Sequence, residues 1–388
     1  MHAWPELNLT TGPVEMSERT LREGARPILY HYDPAFLELF ERTCALLQRV
    51  YGTSHDVVIM QGEALLGLEA AAASLIAPGT RVLNLVSGIY GKAYEAYLRR
   101  YGAEVEELAV PYNQAIDPDD VRRALERHPE ITILSMVQVE TPSGTVNPVA
   151  EICRIAREFG VLTIVDAVAG LGAAPFSPEE WGVDLAVAGP QKCIGGPPGL
   201  ALLAVSPRAW GMMERHPQPL RGSYLSILDW KDTWLEHRRF PHAPSVGLIY
   251  GLESALTQML EVGPDRWAAR HGAIGVACRA GVLALDLQLW PARESIASPA
   301  VTAVTMPIGI GERQLQKQLR GRYGVMIPNS EGELAGKLFR IGHMGPVARP
   351  AALALGLAAL GHALADLGHP ADPGAGVAAA LAALSWPS

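Results

Sequence analysis

The residue best suited to covalent chemistry in this chain is a lysine at the end of an apolar run. Val183-Asp184-Leu185-Ala186-Val187-Ala188 leads into Gly189-Pro190-Gln191-Lys192-Cys193-Ile194-Gly195-Gly196-Pro197-Pro198-Gly199. Twenty-six residues earlier a second apolar run, Val161-Leu162-Thr163-Ile164-Val165, ends in Asp166. Taking an ammonium out of water is costly, so a lysine among apolar and glycine neighbours signals a role for its amine. Such an amine forms a Schiff base with an aldehyde, and a buried carboxylate keeps a pyridine nitrogen protonated. Alone, Asp166 could equally cap the turn that follows its strand; paired with Lys192 it describes a pyridoxal-type site.

Other residues could complete such a site. Tyr90, in Ser87-Gly88-Ile89-Tyr90-Gly91-Lys92, is expected in a turn after a strand, free to stack on a flat ligand. Val168 stands two residues beyond Asp166, so strand alternation would point it the same way, under an aromatic ring. Thr141 and Ser143, in Glu140-Thr141-Pro142-Ser143-Gly144-Thr145, could bond a ligand hydroxyl or simply shape a turn. Arg340, amid Leu338-Phe339 and Ile341-Gly342-His343, wants a carboxylate, either a substrate's or a structural partner's, and His343 beside it reads as structural. Gln61-Gly62-Glu63 joins a strand to a helix start, where phosphate is normally welcome; Glu63 would repel it, although an acid in a first helical turn is ordinary.

The elements that must position these residues follow from periodicity. Unalternating apolar runs over Val57–Met60, Val82–Val86, Val105–Val110, Ile131–Val139, Leu162–Asp166, Leu185–Val187 and Leu200–Val205 read as strands. Helical patterns over 63–76, 93–101, 118–127 and 149–159 separate them. That alternation predicts an α/β fold with a mostly parallel sheet sandwiched by helices, and ligands in such sheets sit at the carboxyl ends of strands. Residues 207–244 read as irregular, and 246–262 as a long helix leading to a smaller C-terminal α+β domain. The expected division is an N-terminal segment over 1–24 packing on the small domain, a large cofactor- and substrate-binding domain over 25–264, and the small domain over 265–388.

The 388 residues, 49% hydrophobic and 19% charged, are enough for a large core. A net charge of −8 with no basic cluster argues against nucleic acid. The four cysteines are scattered without metal-ligand spacing, which fits a reducing, cytoplasmic setting, and no metal is expected. The first residues, Met1-His2-Ala3-Trp4-Pro5-Glu6, lack the basic and apolar regions of a signal peptide, and no apolar run is long enough to span a membrane.

Taken together, from Thr11-Gly12-Pro13-Val14 to Arg340-Ile341-Gly342, the chain resembles the class V branch of the fold-type I pyridoxal-phosphate aminotransferases. The resemblance implies that Lys192 carries the Schiff base and shuttles the proton, that Asp166 pairs with the pyridine nitrogen and that Tyr90 stacks on the ring. It puts Thr141 near the ring hydroxyl and Arg340 on the substrate carboxylate, in a homodimer or dimer of dimers. Within the family the pyridoxamine–pyruvate aminotransferases are most similar, on Leu29-Tyr30-His31-Tyr32-Asp33-Pro34-Ala35-Phe36, Gly62-Glu63, Tyr90-Gly91-Lys92, Thr141-Pro142-Ser143-Gly144-Thr145 and Ile341-Gly342-His343-Met344-Gly345-Pro346. These move the amino group of unphosphorylated pyridoxamine to pyruvate, giving pyridoxal and alanine, so that pyridoxal is substrate rather than retained cofactor. Glu63, where ordinary members have a small residue near the phosphate, would accept a bond from the free 5′-hydroxyl. Phe240-Pro241-His242-Ala243-Pro244 offers neither the Tyr nor the Thr that ordinary members send to a partner's phosphate. Two residues depart. Gln191 keeps the type that contacts phosphate in ordinary members. Glu331 stands near the place of a second arginine, which favours a substrate bearing an amine or hydroxyl. The alternative implied is a phosphate-retaining enzyme of the same family, of alanine–glyoxylate or serine–pyruvate type, or a pyridoxal-phosphate lyase or decarboxylase of specialised metabolism.

Overall fold

Strands whose residues are apolar at every position must be covered on both faces, and here they are. The computed structural model describes residues 6–385; the expectation drawn from the first five residues lies outside that range. A seven-stranded sheet runs, named by strand, Asp56–Gln61, Leu200–Val205, Leu185–Ala188, Leu162–Asp166, Ile133–Val137, Arg81–Val86 and Glu104–Ala109. All neighbours are parallel except Leu200–Val205, which is antiparallel to both of its own. Ile133–Val137 and Leu200–Val205 are buried at every residue. Glu104–Ala109, at the far edge, carries Glu104, Glu106 and Glu107, all exposed, and charge on an open edge discourages pairing with another sheet.

The antiparallel strand has a topological consequence. Asp56–Gln61, at the other edge, runs the same way as the five parallel strands, so its carboxyl end joins theirs on one rim. Gly62 and Gly199 allow the tight join, with φ of +142° and +106° and a 2.9 Å bond from the Gly62 N–H to the Gly199 carbonyl.

The small C-terminal lobe has its own core, which includes Ile274, Leu315, Phe339, Leu357 and Leu360. Val301–Thr305 pairs antiparallel with Leu338–Gly342, under the helices Pro264–Ala284, Glu312–Tyr323 and Pro350–Asp366. The N-terminal segment divides its contacts. Leu7–Asn8 pairs parallel with Val325–Met326 of the small lobe, and Leu7 and Leu9 enter its core. The helix Glu18–Gly24 turns to the helix Val246–Val262 instead, through Ser17 to Gln258 at 2.9 Å and Arg19 to Glu261 at 2.7 Å.

Two stretches differ from the sequence expectation. Residues 207–244 are not irregular throughout. Ser206 caps a helix over Pro207–Glu214 by accepting the Ala209 N–H at 3.1 Å, and Ile227–Trp230 continues into a π-helical turn over Lys231–Leu235. Proline at a first helical position starts a helix rather than breaking one. Likewise Asp33 caps, Pro34 opens and Gly52 closes a helix over Pro34–Tyr51, a stretch to which the sequence reading assigned no element. Among the described residues no helix is long and apolar enough to cross a membrane, and all four cysteines are free.

The helix Ala64–Leu75 lies on the sheet so closely that a Cβ on Gly67 would stand 2.8 Å from Val187 Cγ1 and 2.9 Å from Ala201 Cβ. Helix propensity alone would make Gly67→Ala stabilising by up to about 1 kcal/mol. Overpacking against strand atoms that cannot retreat outweighs this, so the substitution is expected to lower unfolding free energy by about 1–3 kcal/mol in a urea titration.

Candidate active site

Five strand ends on the common rim supply the site. Leu162–Asp166 ends in Asp166, whose Oδ1 accepts the Val168 N–H at 2.9 Å. Val168 therefore lies past the strand, in a turn that Asp166 itself organises, and not in the alternating position expected; it lines the same cavity nonetheless. Leu185–Ala188 leads to Gln191 and Lys192, Asp56–Gln61 to Glu63, Arg81–Val86 to Tyr90, and Ile133–Val137 to Thr141. A cavity of about 260 Å³ is lined by Lys192, Asp166, Tyr90, Val168, Glu63, Thr141 and Gln191 together. Tyr90 is not in a turn. It sits in the first turn of the helix Ile89–Arg100, whose start is set by extended Gly88.

The N-terminal segment closes the cavity over the lysine, a feature the sequence reading did not assign. Lys192 Nζ donates to the Thr11 carbonyl at 2.7 Å, and the Val14 N–H donates to the Gln191 carbonyl at 3.0 Å. Gly12, at φ +110°, lies so near that a Cβ would meet Lys192 Cδ at 2.5 Å. The Thr11-Gly12-Pro13 sequence is the only signal that could have marked it. Burial lowers the Lys192 pKa, against the pull of Glu63 and Asp166, and so favours the uncharged nucleophilic amine. Asp166 is withdrawn from bulk water although its carboxylate opens on the cavity. Burial raises it to about 6, with the Val168 N–H and Lys192 opposing.

Glu63 does not sit inside its helix but caps it, Oε2 accepting the Leu65 N–H at 2.9 Å. Its Oε1 accepts from Gln191 Nε2 at 2.6 Å. A carboxylate can only accept, so it fixes the amide with NH₂ toward Glu63 and leaves the buried Gln191 Oε1 without a partner. This corner of the cavity thus presents acceptors, and the helix N-terminus that could hold an anion is already occupied by the chain's own carboxylate.

Arg340, only 1% exposed, comes from the small lobe. Nη1 donates to Thr11 Oγ1 at 3.3 Å and to the Thr141 carbonyl at 3.4 Å, Nη2 donates to the Asn329 carbonyl, and Nε has no partner. Exposed Glu331 approaches Nη2 at 3.8 Å. Both readings of this arginine therefore have support, since it has a weak internal acid and an unfilled donor. Thr141 Oγ1, near the Tyr90 hydroxyl, also lacks a partner of good geometry. Two buried polar atoms without partners, Thr141 Oγ1 and Gln191 Oε1, together with an amine and a carboxylate on one cavity, fit a small heteroaromatic ligand with polar substituents. Arg340, with its own free Nε, and Glu331 are not among the residues that line it, and Arg340 reaches it only through Thr11 and Thr141. His343 is buried beside Arg279, its pKa pushed down to about 3 by burial, and bonds Thr302 at 3.0 Å, away from the cavity chemistry. Among the described residues no group of acids, histidines and cysteines could hold a metal ion.

With this geometry in hand, the comparisons are specific. The model of the aminotransferase class-V family matches residues 20–337, and the chain belongs to that family. It has 46% identity over 383 residues, 99% of this chain and 98% of the relative, with the pyridoxamine–pyruvate transaminase of Mesorhizobium japonicum. A crystal structure of pyridoxamine–pyruvate aminotransferase from Mesorhizobium loti superposes with a TM-score of 0.96, at 46% identity, over 98% of this chain and 97% of that one. That of ureidoglycine–glyoxylate aminotransferase from Bacillus subtilis gives 0.94 at 31% identity, over 98% of both chains. The architecture is the fold-type I aminotransferase fold.

Asp166 supports a stability test with a defined sign. Its folded pKa of about 6 exceeds the ordinary 3.8, so the unfolded chain loses this proton first as pH rises. Ionisation then disfavours the ligand-free fold by about 2–3 kcal/mol, a penalty that is small at pH 4 and complete above about pH 7. Asp166→Asn, which can still accept the Val168 N–H, is expected to raise the melting temperature at pH 8 much more than at pH 4, and to abolish turnover.

Proposed function

We propose that this enzyme transfers the amino group of unphosphorylated pyridoxamine to pyruvate, giving pyridoxal and alanine, with pyridoxal bound as a substrate. The observation that carries the proposal is the Glu63–Gln191 pair. A phosphate dianion there would face a carboxylate and an amide oxygen, whereas a free hydroxymethyl group would find acceptors for its proton. Kinship with pyridoxamine–pyruvate transaminases across nearly the whole chain supports the same reading.

The residues then divide the work. Lys192 offers an uncharged amine to the aldehyde, and when free its Nζ is the base that takes a proton from one carbon and returns it to the other. Asp166 holds the ring nitrogen protonated, Tyr90 and Val168 flank the ring, and Thr141 bonds its hydroxyl. When bound, the protonated heterocycle supplies an electron sink for the carbon that loses its proton. Arg340 takes the oxo-acid carboxylate, with Nε as its unfilled donor. The Thr11–Gly12 strap covers one side of the Lys192 side chain and accepts a bond from its amine. Exposed apolar residues of the Ile28–Tyr32 stretch, and exposed Leu65 at the cavity wall, support a homodimer.

The deciding experiment compares pyridoxamine with its phosphate as amino donor in wild type and in Glu63→Ser, with Lys192→Ala as the inactive control. Wild type is expected to favour pyridoxamine and to lose its absorbance near 400 nm on dialysis. Glu63→Ser is expected to weaken pyridoxamine use and improve use of the phosphate by about tenfold or more. A yellow wild-type protein whose released ligand is phosphorylated overturns the proposal in favour of a phosphate-retaining class V aminotransferase. Glu331 competes with the substrate carboxylate for Arg340. Because it is exposed, its hold is worth at most about 1 kcal/mol, so Glu331→Gln is expected to lower the pyruvate KM by no more than about fivefold at unchanged kcat.

A further inference from the structure

Glu140 is fully buried, is not among the residues that line the proposed ligand site, and has no basic partner among the described residues. Its Oε1 accepts the Gly91 N–H at 2.7 Å and its Oε2 the Tyr90 N–H at 3.2 Å, reaching across about fifty residues to the start of the helix Ile89–Arg100. No local side chain does this. Gly88 occupies the capping position with no side chain to offer, and the Ser87 hydroxyl is turned to Asn147 at 2.7 Å. The approach is as close as the backbone permits. A Cβ on Gly88 would meet Glu140 Cδ at 2.5 Å, and one on Gly91 would meet the Leu85 carbonyl at 2.8 Å. The Gly91 carbonyl is itself held by Asn84 Nδ2 at 2.9 Å, and Asn84 by Ser135.

A serine or aspartate at position 88 would cap the helix without burying a distant carboxylate. The long-range arrangement adds something a local cap cannot, a rigid tie between Tyr90 and the strand end that carries Thr141. We propose that Glu140 is a positioning residue, holding the Tyr90 amide so that the tyrosine ring keeps a fixed face toward the ligand cavity. The proposal rests on Tyr90 contacting the ring, as in the function proposed above. Burial raises the carboxyl to about 7, with the two amides opposing and Asp166 adding to it. Asp166 on the neighbouring strand and the phenols of Tyr90 and Tyr112 are the titratable groups near it among the described residues. The tie is complete only while Glu140 is ionised, because a protonated oxygen is a poor acceptor for the second amide.

The test is a double-mutant cycle read by binding, not turnover. Pyridoxal is titrated by absorbance into wild type, Glu140→Gln, Tyr90→Ala and the pair. Hydrogen exchange of the ligand-free 88–95 segment and the melting temperature are recorded in parallel. Glutamine keeps one acceptor and loses the other, so Glu140→Gln is expected to raise the pyridoxal dissociation constant about tenfold in wild type but less than twofold in Tyr90→Ala. Exchange at residues 89–92 is expected to rise while the melting temperature moves by no more than a few degrees. An equal loss of affinity in both backgrounds, or a lowered melting temperature with unchanged affinity, overturns the proposal. Should Glu140→Gln fail to fold, Glu140→Asp, which keeps the charge and withdraws it by one methylene, goes through the same cycle. Pyridoxal phosphate is titrated alongside. Tighter binding of the phosphate would overturn the reading of Glu63 while leaving the cycle, which concerns the ring, to decide Glu140 separately.

Discussion

A lysine amine drawn out of bulk water, so that burial lowers its pKa against the pull of nearby carboxylates, is the condition on which the rest of the structure depends. Bulk water or a tight ion pair would each keep Lys192 protonated and inert. The fold limits the first by laying Thr11 and Gly12 over the side chain, and the second by giving the nearby acids other hydrogen-bond partners. Asp166 is engaged by the Val168 N–H, and Glu63 by Gln191 and the Leu65 N–H. The amine is left with a neutral carbonyl, Thr11, as its hydrogen-bond partner.

That arrangement couples the two lobes. The strap over Lys192 is also the segment that pairs with the small lobe and receives Arg340 Nη1 through Thr11. A shift of the small lobe would therefore be felt both at Arg340 and at Lys192, the two ends of the substrate in the function proposed above. The strap has no regular secondary structure at Thr10–Pro13, and its placement relies on the bonds that it makes at either end.

Much of this was legible in advance. Strands such as Leu200–Val205 and Arg81–Val86 announce themselves because complete burial demands unbroken apolar runs. Lys192 and Asp166 stand out because charge interrupts those runs at their ends. Helices introduced by proline, Pro34–Tyr51 and Pro207–Glu214, were hidden, since the same residue that breaks a helix interior opens a helix. Glu140 was visible as an acid after an apolar strand, but nothing nearby in the chain says that its partners are the amides of Tyr90 and Gly91. Tyr90 itself read as a loop residue because Gly88 and Gly91 flank it. Those glycines are there to admit a carboxylate and a carbonyl at close range.

Local order alone determined which residues carry charge, aromatic faces and nucleophilic nitrogen, and that they stand at the ends of strands, because periodicity and composition record the environment of each short segment. Only the tertiary structure decided that five strand ends share one rim, since that follows from a single antiparallel strand placed between the edge and the centre of the sheet. It also decided that Gln191 turns its amide toward Glu63, and that an N-terminal strap lies on the lysine. Those contacts join residues more than a hundred positions apart, and their energies depend on distance and burial, quantities that no stretch of one-dimensional sequence contains.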